Sequence, residues 1–219
     1  MFREFFQLWK KAGLLSEALK ETEKMLLVAK SMFSFSLRVL MDKEKEKEDI
    51  YKIDRELNEL QRNVRRKILE HLSINPQQDV TSCLVLITIV IDIERIGDYS
   101  KNLIELSHKY PQRLKGKYIE RIREIEKDIG GLFDGTIDAF KNADIDLAKQ
   151  IMERHARIAV HCEKIVEDLV EDTQVSSRMG IIYALLARYL KRVSAHLKNI
   201  ASGVANPFHR LGYKPKNME

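Results

Sequence analysis

Glu94 and Asp98 stand four residues apart in the segment Asp92-Ile-Glu94-Arg95-Ile-Gly97-Asp98-Tyr-Ser-Lys101-Asn102. On a helix this spacing puts both carboxylates on one face, where their like charges repel. A divalent cation turns that repulsion into ligation, and oxygen donors suit Mg, Mn, Fe, Ca or Zn. Asp54 and Asn58 have the same spacing in Ile53-Asp54-Arg55-Glu-Leu57-Asn58 and could add oxygens from a neighbouring helix. The bland alternative is a solvated acidic pair neutralised by Arg55, Arg95 or Lys101. The residue types leave both open.

The segment has a partial echo, Leu190-Lys191-Arg192-Val-Ser194-Ala195-His196-Leu-Lys198-Asn199. Arg95 and Arg192, like Asn102 and Asn199, are 97 positions apart (192 − 95 and 199 − 102). A fixed offset that keeps both residue types predicts a duplicated helical unit. At that offset Glu94 becomes Lys191 and Asp98 becomes Ala195, so a metal is expected only in the first copy. In the second, Arg188, Lys191, Arg192 and His196 form a candidate anion or partner site, against the plainer reading of solvated charge. His155 and His196 read as ordinary polar-face residues. Asn102 and Asn199 are either interhelix hydrogen-bonding groups or surface amides. Arg95 and Arg192 could each pair with acids on a facing helix, and Gly97 permits a close helix approach.

These residues need helices to position them, and the hydrophobic periodicity supplies six. The first spans about Phe5 to Met41, with Met25, Ala29, Met32, Ser36 and Leu40 on one stripe and a break at Gly13. The charged run Asp42–Asp49 predicts a solvated corner. The second helix carries Ile50, Ile53, Leu57, Leu60, Val64 and Ile68 and ends before Asn75-Pro76. The third, from about Gln78 to Lys109, is the most apolar, as expected of a helix packed on two sides. A boundary between halves falls at Pro111 to Gly116. The fourth helix, about Tyr118 to Lys141, carries Ile122, Ile125, Ile129, Phe133, Ile137 and Phe140. The turn Asn142-Ala-Asp144 caps the fifth, which carries Leu147, Ile151, Ile158, Cys162, Ile165 and Leu169. The sixth runs from about Ser176 to Ala205, followed by an irregular tail. The expected fold is therefore all-α, two tandem three-helix repeats over residues 1–112 and 113–219.

Composition agrees. The chain has 219 residues, 32% charged, with only 9 Gly and 4 Pro, which suits long solvated helices and leaves little room for a sheet. Its net charge of +5 is mild and demands no acidic partner. Cys83 and Cys162 sit in apolar helical surroundings and read as buried reduced thiols. Met1–Lys11 has no uninterrupted apolar core, so it is not a signal peptide. Leu84–Ile91 is far too short to span a membrane. A cytoplasmic location follows as the expectation.

Glu94-Arg-Ile-Gly-Asp98-Tyr-Ser-Lys-Asn102, together with the acidic stretch Asp54–Asn58 on the preceding helix, resembles the PhoU family. The resemblance covers nearly the whole chain through the doubled three-helix plan. It implies a non-enzymatic accessory regulator of phosphate uptake and of the phosphate-starvation response. The implied partners are the phosphate transporter's ATPase subunit and a sensor histidine kinase, with any membrane association made through them. Some members hold iron or zinc clusters through the acidic motif, so Fe, Zn, Mg or Mn is expected at Glu94, Asp98, Asp54 and Asn58. The chain departs from the family pattern at Lys191 and Ala195, and His155 stands where Asp54 stands in the first half, judged from Leu57 and Ile158. Long amphipathic helices also favour a homo-oligomer.

Two rivals come from other classes. A carboxylate-bridged di-metal enzyme needs two Glu-x-x-His motifs, and Glu105-Leu-Ser-His108 is the single convincing match. A nucleic-acid binder has basic patches at Arg62, Arg65, Arg66 and Lys67 and at Arg188, Lys191, Arg192 and Lys198, but without interleaved aromatics or a DNA-reading motif. No nucleophile elbow, P-loop or glycine-rich phosphate loop speaks for a hydrolase or transferase.

Overall fold

The computed structural model, which describes residues 13–213, runs as six long helices. They are α1 (Leu14–Leu37), α2 (Ile50–Ile74), α3 (Val80–Lys109), α4 (Lys117–Asn142), α5 (Ile145–Glu171) and α6 (Ser177–Ala205). No strand occurs among the described residues, so the chain is all-α. The expected start at Phe5 and the reading of Met1–Lys11 lie outside the described residues. Gly13 does mark the break, taking φ 105° just before α1. The last turn of the first helix is wider than expected, a π-helical turn over Arg38–Asp42 closed by Lys43 in the left-handed region.

The stripes read from the sequence become the core. Met25, Ala29, Met32 and Ser36 on one side of α1, and Leu40 in the π-helical turn that follows, are fully buried. Burying each large apolar side chain contributes about 1.5–3 kcal/mol. Polar residues set the helix starts: Asp49 accepts the backbone N–H groups of Tyr51 and Lys52, and Asp144 those of Asp146 and Leu147. Such caps are each worth about 1 kcal/mol. The charged corner is exposed, but it is also stitched down. Asp42 pairs with Arg123, Glu44 with Arg38, and Glu46 with His108.

Helices α2, α3, α6 and α5 lie side by side in that order, with α1 and α4 packed across them. The central pair is antiparallel. Arg178 near the start of α6 donates to the Lys109 carbonyl at the end of α3, while Gly203 near the end of α6 lies against Val85 and Ile89 near the start of α3. Helices α1 and α4 are joined by a Phe33–Phe133 ring contact at 5.5 Å and by Lys30–Asp134 and Lys141–Glu23 ion pairs. The connection between Lys109 and Lys117 separates two three-helix units that share one apolar core. Cys83 and Cys162 are free and buried in it, and burial pushes each thiol up to about 12.

Candidate functional site

Antiparallel packing of α2 on α3 brings the four residues of the acidic motif together. Gln61 bonds the Val90 carbonyl at 3.2 Å and the Tyr51 hydroxyl donates to Glu105 at 3.0 Å, which fixes the register. Gly97 makes the approach possible. A Cβ there would stand 2.7 Å from Leu57 Cδ2 and 3.7 Å from Asp54 Oδ1. Asp54 is thereby buried, 8% exposed, against the α3 turn that carries Glu94 and Asp98.

The motif is compensated from within. The Lys101 ammonium lies 3.0 Å from Asp54 Oδ1 and 2.9 Å from Asp98 Oδ1. Asn58 donates its amide to Asp54 Oδ2 at 3.1 Å, and Arg95 Nη1 stands 3.2 Å from Asp98 Oδ2. All four carboxylate oxygens of the two aspartates thus face a nitrogen. Glu94 has Arg95 at 3.8 Å; burial, and then the charge of Asp98, hold its carboxyl above the ordinary range. Of the three cations named as neutralisers, Lys101 and Arg95 act and Arg55 turns instead to Asp49. Among the described residues no three His, Cys, Asp or Glu side chains converge as a ligand set. Asp54 Oδ1 is nonetheless buried without a hydrogen-bond partner, because the Lys101 ammonium meets it as an ion pair only. Beside them Tyr51, Arg95, Tyr99, Lys101, Asn102 and Glu105 line an open groove of about 400 Å³.

The second copy is built differently. His155 bonds Ser194 at 3.0 Å, just as Asp54 lies against Gly97, so the two pairs occupy matching places. Burial, with repulsion from Lys198 and Lys191, lowers the His155 pKa to about 4. The candidate anion set does not converge. Lys191 pairs with Glu163, Arg192 donates to the Tyr99 hydroxyl at 3.1 Å, and Arg188 is exposed. His196 is 7% exposed, and its Nδ1 lies 2.7 Å from Asp92 Oδ1. The ordinary polar-face reading of the two histidines is corrected on this point: the antiparallel seam carries His196 inward to a carboxylate on α3. Asn199 bonds the same Asp92 oxygen at 3.0 Å, which makes it an interhelix group, while Asn102 lines the groove. Arg95 finds its acids on its own helix and Arg192 a hydroxyl, so neither pairs with an acid across helices.

Asp92 has a structural role that the sequence reading leaves unassigned. Asp92 was visible as the first acid after the apolar run Leu84–Ile91. Lys101 and Lys198 share the 97-residue offset (198 − 101), yet Lys198 donates to the Gly212 carbonyl at 2.8 Å instead of meeting carboxylates. The Glu105–His108 pair of the di-metal reading points apart, Glu105 to Tyr51 and His108 to Glu46.

Comparison with known proteins fits this doubled plan. The family described as "PhoU domain" matches residues 22–107 and again 122–204, one match on each three-helix unit. A phosphate-specific transport system accessory protein PhoU homolog from Pseudomonas aeruginosa is 28% identical over 166 residues, 70% of this chain and 66% of the relative. The PhoU homolog 1 of Thermotoga maritima is 27% identical over 162 residues, 68% of this chain and 66% of the relative. The matched stretch thus spans just under two thirds of the length of each relative. The crystal structure of PhoU from Pseudomonas aeruginosa superimposes with a TM-score of 0.73 at 22% identity, covering 87% of this chain and 95% of that one, a likeness of fold. With a PhoU domain matched on each of its two three-helix units, the chain belongs to the PhoU family.

Proposed function

We propose that this protein is a non-enzymatic accessory regulator of a phosphate transport system, working at the cytoplasmic side by docking on the transporter's ATPase subunit and on a sensor histidine kinase. The observation that carries the reading is the paired PhoU-domain match, one per three-helix unit, among relatives named as phosphate-specific transport accessory proteins. The docking face we assign is the outer side of α3 from Glu94 to Glu105 with the flanking turn of α2 at Tyr51 and Asn58. It keeps the acidic motif and has an open groove with charged and hydroxyl groups at its rim. Regulation follows if this face binds one state of a partner more tightly than another. No described helix is long and apolar enough to cross a membrane, so contact with a transporter through this chain would be peripheral.

The nucleic-acid alternative is weakened in part, because three of the eight basic residues in the two patches have acidic partners. Lys67 is held by Glu17 and Glu21, Arg62 lies near Glu59, and Lys191 is on Glu163. The test is capture of partners from cells grown in phosphate-rich and phosphate-poor media, with this chain as bait. Recovery of the transporter ATPase or a sensor kinase is expected. Recovery of neither, with DNA binding that falls steeply with salt, would overturn the reading.

A further inference from the structure

The acidic motif joins two helices through a side chain of the protein itself. Lys101 reaches Asp98 on its own helix and Asp54 on α2, at 2.9 and 3.0 Å. A divalent ion bridging the same oxygens would have to displace that ammonium and then accept Arg95 beside it. We infer that the Lys101 ammonium occupies the position of a bridging cation between Asp54 and Asp98, so that this protein fastens α2 to α3 at its acidic motif without a metal.

Three features support the assignment. Every aspartate oxygen lies near a nitrogen: the one Lys101 ammonium is shared by both Oδ1 atoms, pairing with Asp54 Oδ1 by charge without a hydrogen bond, and Asn58 and Arg95 meet the two Oδ2 atoms. Asn58 donates its amide to Asp54 Oδ2 at 3.1 Å and so adds a neutral donor to the carboxylate. Asp54 is more than nine-tenths buried, and a buried carboxylate needs a charged partner to stay ionised. The second copy provides an internal contrast. There Ala195 and His155 replace the two carboxylates, and the matching Lys198 turns away to a backbone carbonyl. The lysine bridges helices only where both acids remain.

This inference stands apart from the docking proposal, since a lysine-closed motif could face a partner as well as a metal-closed one. The test uses the full chain, stripped with a chelator, returned to Mn²⁺ or Zn²⁺, and followed by elemental analysis and thermal melting. Wild type is expected to retain no stoichiometric metal and to melt at the same temperature with and without the ion. Lys101→Met, which keeps length and loses charge, is expected to melt lower and to be raised by roughly 5 °C on adding the ion. Lys101→Arg is expected to behave as wild type. If Lys101→Met does not fold alone, folding restored by the ion supports the assignment, and no restoration overturns it. Wild type that keeps about one ion per chain, and loses it in Asp98→Asn, would also overturn it. So would Lys101→Met melting like wild type and ignoring both ions.

Discussion

Asp92 and His196 meet at 2.7 Å across the seam between α3 and α6, each nearly buried, with Asn199 on the same carboxylate oxygen. The contact links the two repeats through residues that have no counterpart in each other's copy. At the repeat offset, Asp92 matches Tyr189 and His196 matches Tyr99. The Tyr99 ring packs on both His196 and Tyr189 at 5.8 Å, which completes the seam. Asp92→Ala is expected to lower unfolding stability by about 2–4 kcal/mol, because it leaves His196 buried without its partner, and His196→Ala by less, because Asp92 keeps Asn199. Asp92→Ala combined with His196→Ala should cost less than the two single changes added together. Urea unfolding followed by circular dichroism measures this, and strict additivity would show that the pair is not coupled.

His155 predicts the direction of acid sensitivity. In the fold, burial and then the charges of Lys198 and Lys191 hold its pKa at about 4, whereas an unfolded histidine titrates at about 6.5. The unfolded chain therefore takes up the proton first. The stabilisation from keeping His155 neutral is complete above pH 6.5 and is lost as pH falls from 6.5 through 4, a loss of about 2 kcal/mol after allowing for partial solvent access. Urea midpoints at about pH 7 and about pH 4.5 should differ in wild type and differ less in His155→Gln, which can still bond Ser194. An unchanged difference in His155→Gln would assign the acid sensitivity to other groups.

Two glycines should respond to substitution in opposite directions. A Cβ on Gly203 would stand 2.8 Å from Ile89 Cδ1 and 3.3 Å from Val85 Cγ1, at the close approach of α6 to α3. Gly203→Leu is expected to destabilise by about 2 kcal/mol through overpacking. Gly130 in α4 has open space around its missing Cβ, so Gly130→Ala should stabilise by about 0.5–1 kcal/mol. Melting temperatures of the two variants check both signs.

Much of this architecture was readable from period and punctuation. The stripe from Met25 to Leu40 lies in the core, and Asp144 caps α5 as the turn chemistry predicts. The 97-residue offset gave the repeat because it depends only on residue order along α3 and α6. It could not say that those helices pack antiparallel, and that packing decides which residues meet. Hence Asp92 and His196 could not be paired in advance, and His196 read as a surface group. The acidic motif was legible as a cluster, and so was Lys101 as one neutraliser among three. The choice among them rests on the α2–α3 register, which places Asp54 under Lys101 and turns Arg55 away toward Asp49.

The most direct test exchanges one motif for the other. Glu94→Lys with Asp98→Ala gives the first copy the residues that the second has at those places, and thermal melting establishes that the variant still folds. Paired with it is Lys191→Glu with Ala195→Asp, which restores acids to the second copy. Both chains serve as bait for the transporter ATPase and the sensor kinase in cells grown with and without phosphate. Loss of capture in the first variant, with capture retained in the second, is the expected result. Full capture by a folded Glu94→Lys, Asp98→Ala chain would contradict the assignment of the docking face to the acidic copy.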